Sequence, residues 1–293
     1  MQNRLRGWLP LAIIPATLIA TLPNAVPPWV MMWTLSFAIY GCCKWLTWRQ
    51  AHNSIAPFWQ QLAYLFAWPG LDARAFLSPP QSPPKTPPPD REWYAAWLRL
   101  LLGGLMIWGV SPLIPAHWPL TRGWIGMIGL LQILHFGLFA LLSCYWRSVG
   151  INAKPLMQQP MQSESLGEFW GRRWNTAFRD LTNQLLFRPL ARKVGPIRSM
   201  WIGFLVSGLV HEMVITFPAQ GGYGGPTTFF LLQAAGLSAE RSRFAHTFGL
   251  GTEWSGRSFT ALILLLPLPL LAPSSFILNV IVPFLSAIGA MPR

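Results

Sequence analysis

Four windows of this chain contain no Asp, Glu, Lys or Arg: Gly7 to Cys43, Leu100 to Thr121, Gly123 to Trp146 and Ser258 to Pro292. About 20 apolar residues in a helix cross the roughly 30 Å hydrocarbon core of a bilayer, so the first and last windows each have room for two crossings. Charged residues make up 11% of the chain and hydrophobic ones 52%, whereas soluble domains carry about 25% charged residues. A water-soluble fold would lack a surface. The alternation of period two that marks a membrane β-barrel is missing, so the expected fold class is all-α, a polytopic transmembrane helical protein. The first window follows Arg4 and Arg6. With no small-residue cleavage pattern before Pro27-Pro28, it reads as a retained span and not as a signal peptide.

Helices are expected near 8–22, 29–46, 55–71, 95–115, 123–146, 199–217, 227–239, 258–272 and 275–291, within one membrane domain covering 1–293. The proline run from Ser78 to Asp90 reads as an extended, solvated connector, because each proline fixes φ and removes a donor. Lys and Arg mark the cytoplasmic side. Segment 147–198 carries nine of them, among them Arg147, Lys154, Arg188, Arg192, Lys193 and Arg198, against Glu164, Glu168 and Asp180. Five crossings before it would put this segment on the wrong side from Arg4 and Arg6. The short segment 55–71, which opens on Ala56-Pro57, is therefore expected to be re-entrant or interfacial, leaving about eight spans. Segment 240–257 and the terminal Arg293 then also face inward, and the expected location is a bacterial inner membrane. The net charge of +13 reports orientation and contact with anionic headgroups, and no nucleic-acid partner is needed to explain it. Cys42, Cys43 and Cys144 form neither a disulfide framework nor a spaced metal site, so no metal is expected.

Two stretches interrupt this apolar pattern with chemistry. The first runs from Ser165 to Leu181 and opens on Ser165-x-x-Glu168, a capping-box pattern that starts a helix. An amphipathic helix near 165–186 is expected. Its Leu166, Phe169, Trp170, Trp174 and Phe178 fall on one side, and Arg172, Asn175 and Arg179 form a strip on the other. An interfacial helix whose arginines meet lipid phosphates accounts for that strip as well as a binding site does. The second stretch, Ile197 to Phe217, is an apolar span broken by His211-Glu212. An ionisable group inside a bilayer costs roughly 2.5 kcal/mol or more and is a functional candidate by default. Ser207 lies four residues earlier on the same helix face and could orient the imidazole, whereas Glu212 points about 100° away. His135, with no polar company in Leu134-His-Phe-Gly-Leu, reads as structural. The glycines of Gly221-Gly-Tyr-Gly-Gly-Pro226 read as an outer turn.

Phe169-Trp-Gly-Arg-Arg-Trp-Asn175 and Ser207-Gly-Leu-Val-His-Glu212, in this order and some thirty residues apart, resemble the wax synthase-like branch of the membrane-bound O-acyltransferases. Trp68-Pro-Gly-Leu-Asp72 is similar to that branch more weakly. The resemblance implies that His211 is a general base and Asn175 the second essential residue. Plant members of the branch have a further histidine in the following helix, where this chain has Gln233.

The expected activity is transfer of an acyl group from acyl-CoA to a hydroxyl acceptor, a long-chain or lipid alcohol, with no permanently bound cofactor. Arg172, Arg173 and Arg179 are expected to bind the phosphates of coenzyme A. A glycan or metabolite acceptor would use the same parts, and a non-catalytic transporter is the alternative from another class. The glycine pattern fits no nucleotide-binding motif, and the sequence leaves the oligomeric state open.

Overall fold

The computed structural model describes residues 8–22, 26–51, 56–81, 87–242, 245 and 253–291. Arg4, Arg6, Ser82, Arg243 and Arg293 lie outside these described residues. Among the described residues all regular structure is helical. Helices run Leu9–Thr21, Pro28–Gln50, Phe58–Ala67, Asp90–Leu113, Pro119–Ser148, Pro196–Ala219, Gly225–Glu240, Glu253–Leu271 and Ser274–Ala287, matching the expected segments within a few residues. Proline opens many of them, including Pro28, Pro119 and Pro196. Its fixed φ suits the first turn, where its missing N–H has no helical acceptor anyway.

Four of these helices are long and apolar enough to cross a membrane: Asp90–Leu113, Pro119–Ser148, Pro196–Ala219 and Glu253–Leu271. Only 17 to 22% of their most apolar windows is buried inside the protein. In water that would leave large exposed apolar patches; in lipid it is the ordinary outer surface of a span. Phe58–Ala67, with 10 residues, rises about 15 Å, half the hydrocarbon thickness, and cannot cross on its own.

Contacts divide the chain into two compact units. The first comprises residues 1–156 and 281–293. Within it, a Cβ added at Gly103 would lie 2.6 Å from the Gly129 carbonyl oxygen, and one at Gly129 would lie 2.9 Å from that of Gly103. Helices Asp90–Gly104 and Pro119–Leu131 therefore cross on glycine. Arg147, nearly fully buried, is ion-paired with Glu92. Buried Lys44 donates to the Gly70 carbonyl at 2.7 Å and lies 3.5 Å from the Tyr64 ring centroid, so the Trp68-Pro-Gly-Leu-Asp72 turn is pinned by a buried lysine side chain. His135 packs its ring against Phe139 in this unit.

The second unit comprises residues 157–280 and holds both motif stretches. Its centre is the packing of Pro196–His211, the histidine helix, against Gly225–Glu240. Gly208 permits it, since a Cβ there would stand 2.7 Å from the Cα of Thr227.

Candidate active site

The first motif stretch is not one continuous amphipathic helix over 165–186, and the strip Arg172, Asn175 and Arg179 does not share a helical face. The chain turns extended at Trp174 (φ −96°, ψ 126°) and left-handed at Asn175 (φ 41°, ψ 62°) before a new helix starts at Thr176. Asn tolerates this backbone better than other side-chain-bearing residues, because its short amide bonds locally. Here its Oδ1 accepts the Phe178 N–H at 3.5 Å, capping the second helix. The break is clamped by Arg179, whose guanidinium donates back to the Gly171 carbonyl at 2.8 Å.

The start of the stretch follows the expected cap. The Ser165 hydroxyl accepts the Glu168 N–H at 3.0 Å, while the Glu168 carboxylate accepts from the Glu164 N–H. The two remaining amides at this helix end, of Leu166 and Gly167, donate to Glu240. One carboxylate thus ties the motif stretch to the end of helix Gly225–Glu240. A carboxylate in a last helical turn is electrostatically misplaced with respect to its own helix, and that misplacement is the one sign of Glu240 in the sequence.

Arg173 pairs with Glu168 at 2.8 Å and donates to the carbonyls of Gln158 and Gln159. Burial pushes the Glu168 carboxyl up, but the Glu164 amide and the arginine outweigh it and hold it below the ordinary carboxylate range. Arg179 pairs with Asp180. Of the three arginines, Arg172 is exposed, and the other two are occupied in holding the segment together.

Three aromatic contacts carry this segment to the histidine helix. Trp170 meets Phe204 edge-on at 5.7 Å and Phe230 at 5.8 Å, and Phe230 lies 4.6 Å from the imidazole of His211. Gln233 is fully buried, accepts from the Trp170 indole at 3.3 Å and donates to the Ile263 carbonyl at 2.8 Å. It therefore acts as a buried crosslink, satisfied at both ends of its amide. No hydrogen bond or ring contact joins Asn175 to His211 among the described residues.

His211 Nδ1 lies 2.7 Å from the main-chain carbonyl oxygen of Ser207. A carbonyl can only accept, so Nδ1 carries the proton and the Nε2 lone pair is left available. Ser207 orients the ring through its backbone and not its hydroxyl. Directly after His211 the helix widens by one residue: the Phe217 N–H donates to the Glu212 carbonyl. Such wide turns recur at functional sites, and Phe169–Arg173 contains another. Glu212 turns away from His211 and accepts from the Thr216 hydroxyl, the Thr227 N–H at 3.0 Å and the Thr227 hydroxyl at 2.9 Å. It caps the helix that bears Phe230. Gly222 and Gly224 adopt left-handed φ of 77° and 81° in the intervening turn.

Residues 153–232 match the family model described as membrane bound O-acyl transferase. The probable long-chain-alcohol O-fatty-acyltransferase 3 of Arabidopsis thaliana is 34% identical over 110 residues, which is 34% of this chain and 32% of that protein. Number 9 of the same plant is 25% identical over 63% of this chain and 57% of its own length. The long-chain-alcohol O-fatty-acyltransferase of Simmondsia chinensis is 28% identical over 32% and 29%, respectively. The chain thus spans between about a third and three fifths of the length of these curated relatives. The matched segment runs from the end of the first unit through both motifs to the neighbour of Gln233, and over it the chain is similar to the membrane bound O-acyl transferases, with relatives in the wax synthase-like branch.

Proposed function

We propose that this protein transfers an acyl group from acyl-CoA to the hydroxyl of a long-chain or lipid alcohol. The observation that carries the reading is the fixed tautomer of His211, whose Nδ1–H is spent on Ser207 and whose Nε2 is left basic. Nε2 takes the proton of the acceptor hydroxyl as the oxygen bonds to the thioester carbonyl carbon. The tetrahedral intermediate collapses with cleavage of the carbon–sulfur bond. The thiolate takes the proton back from the imidazolium, and ester and free thiol leave. Asn175 is the proposed donor to the oxyanion or orienter of the acceptor. The aromatic contacts among Trp170, Phe204 and Phe230 give the histidine a water-poor flank, in which such interactions are strong. The relatives named for long-chain-alcohol acylation support a lipid acceptor.

Eight crossings are proposed, with segment 55–71 not crossing and the basic segment 147–198 on the cytoplasmic face of the inner membrane. The test of function is purified protein with labelled acyl-CoA against long-chain alcohols, sugars and polyols. Ester formation with the alcohols, lost in His211→Ala, is expected; transfer to sugars alone would move the acceptor to another class.

A further inference from the structure

Three arginines in and around the motif stretch have an acidic partner, whereas the cations at the start of the histidine helix do not. Arg173, Arg179 and Arg257 pair with Glu168, Asp180 and Glu164. By contrast Arg188, Arg192, Lys193 and Arg198 are all exposed, and between Asp180 and Glu212 the sequence holds no acidic residue. Among the described residues none of these four forms a salt bridge. The fold adds a fifth cation. Helix Arg188–Val194 packs against the histidine helix, and Arg241, at the end of helix Gly225–Glu240, reaches within 3.9 Å of the Met200 sulfur, two residues past Arg198. Glu240, the acid beside it, is occupied by the Leu166 and Gly167 amides. Three separate segments thus bring uncompensated cations to one end of the helix that bears His211.

Arg198 precedes His211 by thirteen residues on an unbroken α-helix, a rise of about 20 Å. A pantetheine arm has roughly thirteen skeletal bonds between pyrophosphate and sulfur, which at about 1.2 Å advance per bond span about 16 Å. An arginine side chain covers the difference.

We propose that Arg192, Lys193, Arg198 and Arg241 form a site for the phosphates of the acyl donor, the nucleotide end of coenzyme A, with the arm running along the histidine helix to His211. This rests on the acyl-transfer reading and moves the phosphate contact away from Arg173 and Arg179. Guanidinium groups suit it, since they take phosphate oxygens in pairs. The same chemistry would hold phospholipid headgroups, and the experiment separates the two sources.

Full-length protein in phosphatidylcholine nanodiscs is assayed with palmitoyl-CoA and with S-palmitoyl pantetheine, which lacks the phosphates, for wild type, Arg198→Gln, Arg241→Gln and Arg192→Gln. Each variant is expected to raise the KM for palmitoyl-CoA about tenfold, the loss of one charge-assisted contact, and to leave that for the pantetheine thioester unchanged. Adenosine 3′,5′-bisphosphate is expected to compete with palmitoyl-CoA on the wild type, a measurement that needs no variant. Equal losses on both donors, losses confined to nanodiscs containing phosphatidylglycerol, or absence of competition overturn the proposal. Coenzyme A binding by equilibrium dialysis without acceptor keeps the two ideas apart. Binding that depends on these cations without ester formation would sink acyl transfer alone. Ester formation with unchanged KM in the variants would sink the phosphate site alone.

Discussion

Replacing Asn175 by Ala, Gly and Asp separates its backbone role from its chemistry. Its φ of 41° lies in the left-handed region, where a residue with a Cβ and no local hydrogen bond pays about 1–2 kcal/mol. The side-chain cap on Phe178 is long at 3.5 Å and belongs at the low end of the range for such caps, about 0.5 kcal/mol. Asn175→Ala loses both and should destabilise the protein by about 2 kcal/mol. Asn175→Gly keeps the backbone and should cost about 0.5 kcal/mol. Asn175→Asp keeps the cap and should be near neutral. Reversible unfolding of the protein in mixed micelles measures these differences, and equal losses for Ala and Gly would refute the left-handed argument. Activity orders the variants differently. If the amide donates to the oxyanion, all three lose kcat by about 10²–10³-fold, with little change in acyl-CoA KM. Near wild-type kcat in Asn175→Gly would show that Asn175 shapes the break in the chain and takes no part in chemistry.

Removal of the base in His211→Ala should cost about 10²–10⁴-fold in kcat with unchanged membrane insertion, whereas His135→Ala, in the other unit, and Ser207→Ala, whose contribution is a main-chain carbonyl, should keep most activity; a comparable loss at His135 would count against the choice of histidine. Glu212→Ala removes the acceptor of three hydrogen bonds that hold Thr216 and Thr227 and should lower both stability and kcat by misplacing Phe230, with Glu212→Gln recovering part of each; wild-type behaviour of the alanine variant would refute the cap. Gly208→Val should be worse than Gly203→Val, because a Cβ at Gly208 meets the Thr227 backbone and one at Gly203 meets nothing within 4 Å; equal thermal stability of the two would show that the close helix approach is not required. Single cysteines at Ser82 and Lys154, in a chain lacking Cys42, Cys43 and Cys144, should label from the same side of the membrane, and labelling from opposite sides would refute the non-crossing assignment of segment 55–71.

The apolar helices were legible from sequence because lipid solvation writes them as composition: charge-free windows placed helices near 8–22 and 258–272, where the structure has Leu9–Thr21 and Glu253–Leu271. The same logic singles out His211 as an ionisable group where none is cheap, and its neighbour Glu212, which helix geometry points away from the imidazole, bonds instead to Thr216 and Thr227. What the sequence could not contain is where three-dimensional neighbours come from. Helical spacing placed Arg172, Asn175 and Arg179 on one face, but a single left-handed residue breaks that face, and the preference of Asn for this backbone is too weak beside the capping box to announce it. Arg173 and Arg179 pair with the nearby Glu168 and Asp180, but the carbonyls of Gln158, Gln159 and Gly171 become acceptors for them only once the chain turns back on itself. Glu240, seventy-two residues after Glu168, caps that helix only through tertiary contact, and Gln233 is a crosslink only because Trp170 and Ile263 converge on it. The sequence by itself determined a helical membrane protein with one polar pair in an apolar span, because those properties are local. Tertiary structure decided that Glu240 caps the motif stretch, that Gln233 ties Trp170 to Ile263 and that Phe230 covers the imidazole, because each depends on packing between segments far apart in the chain.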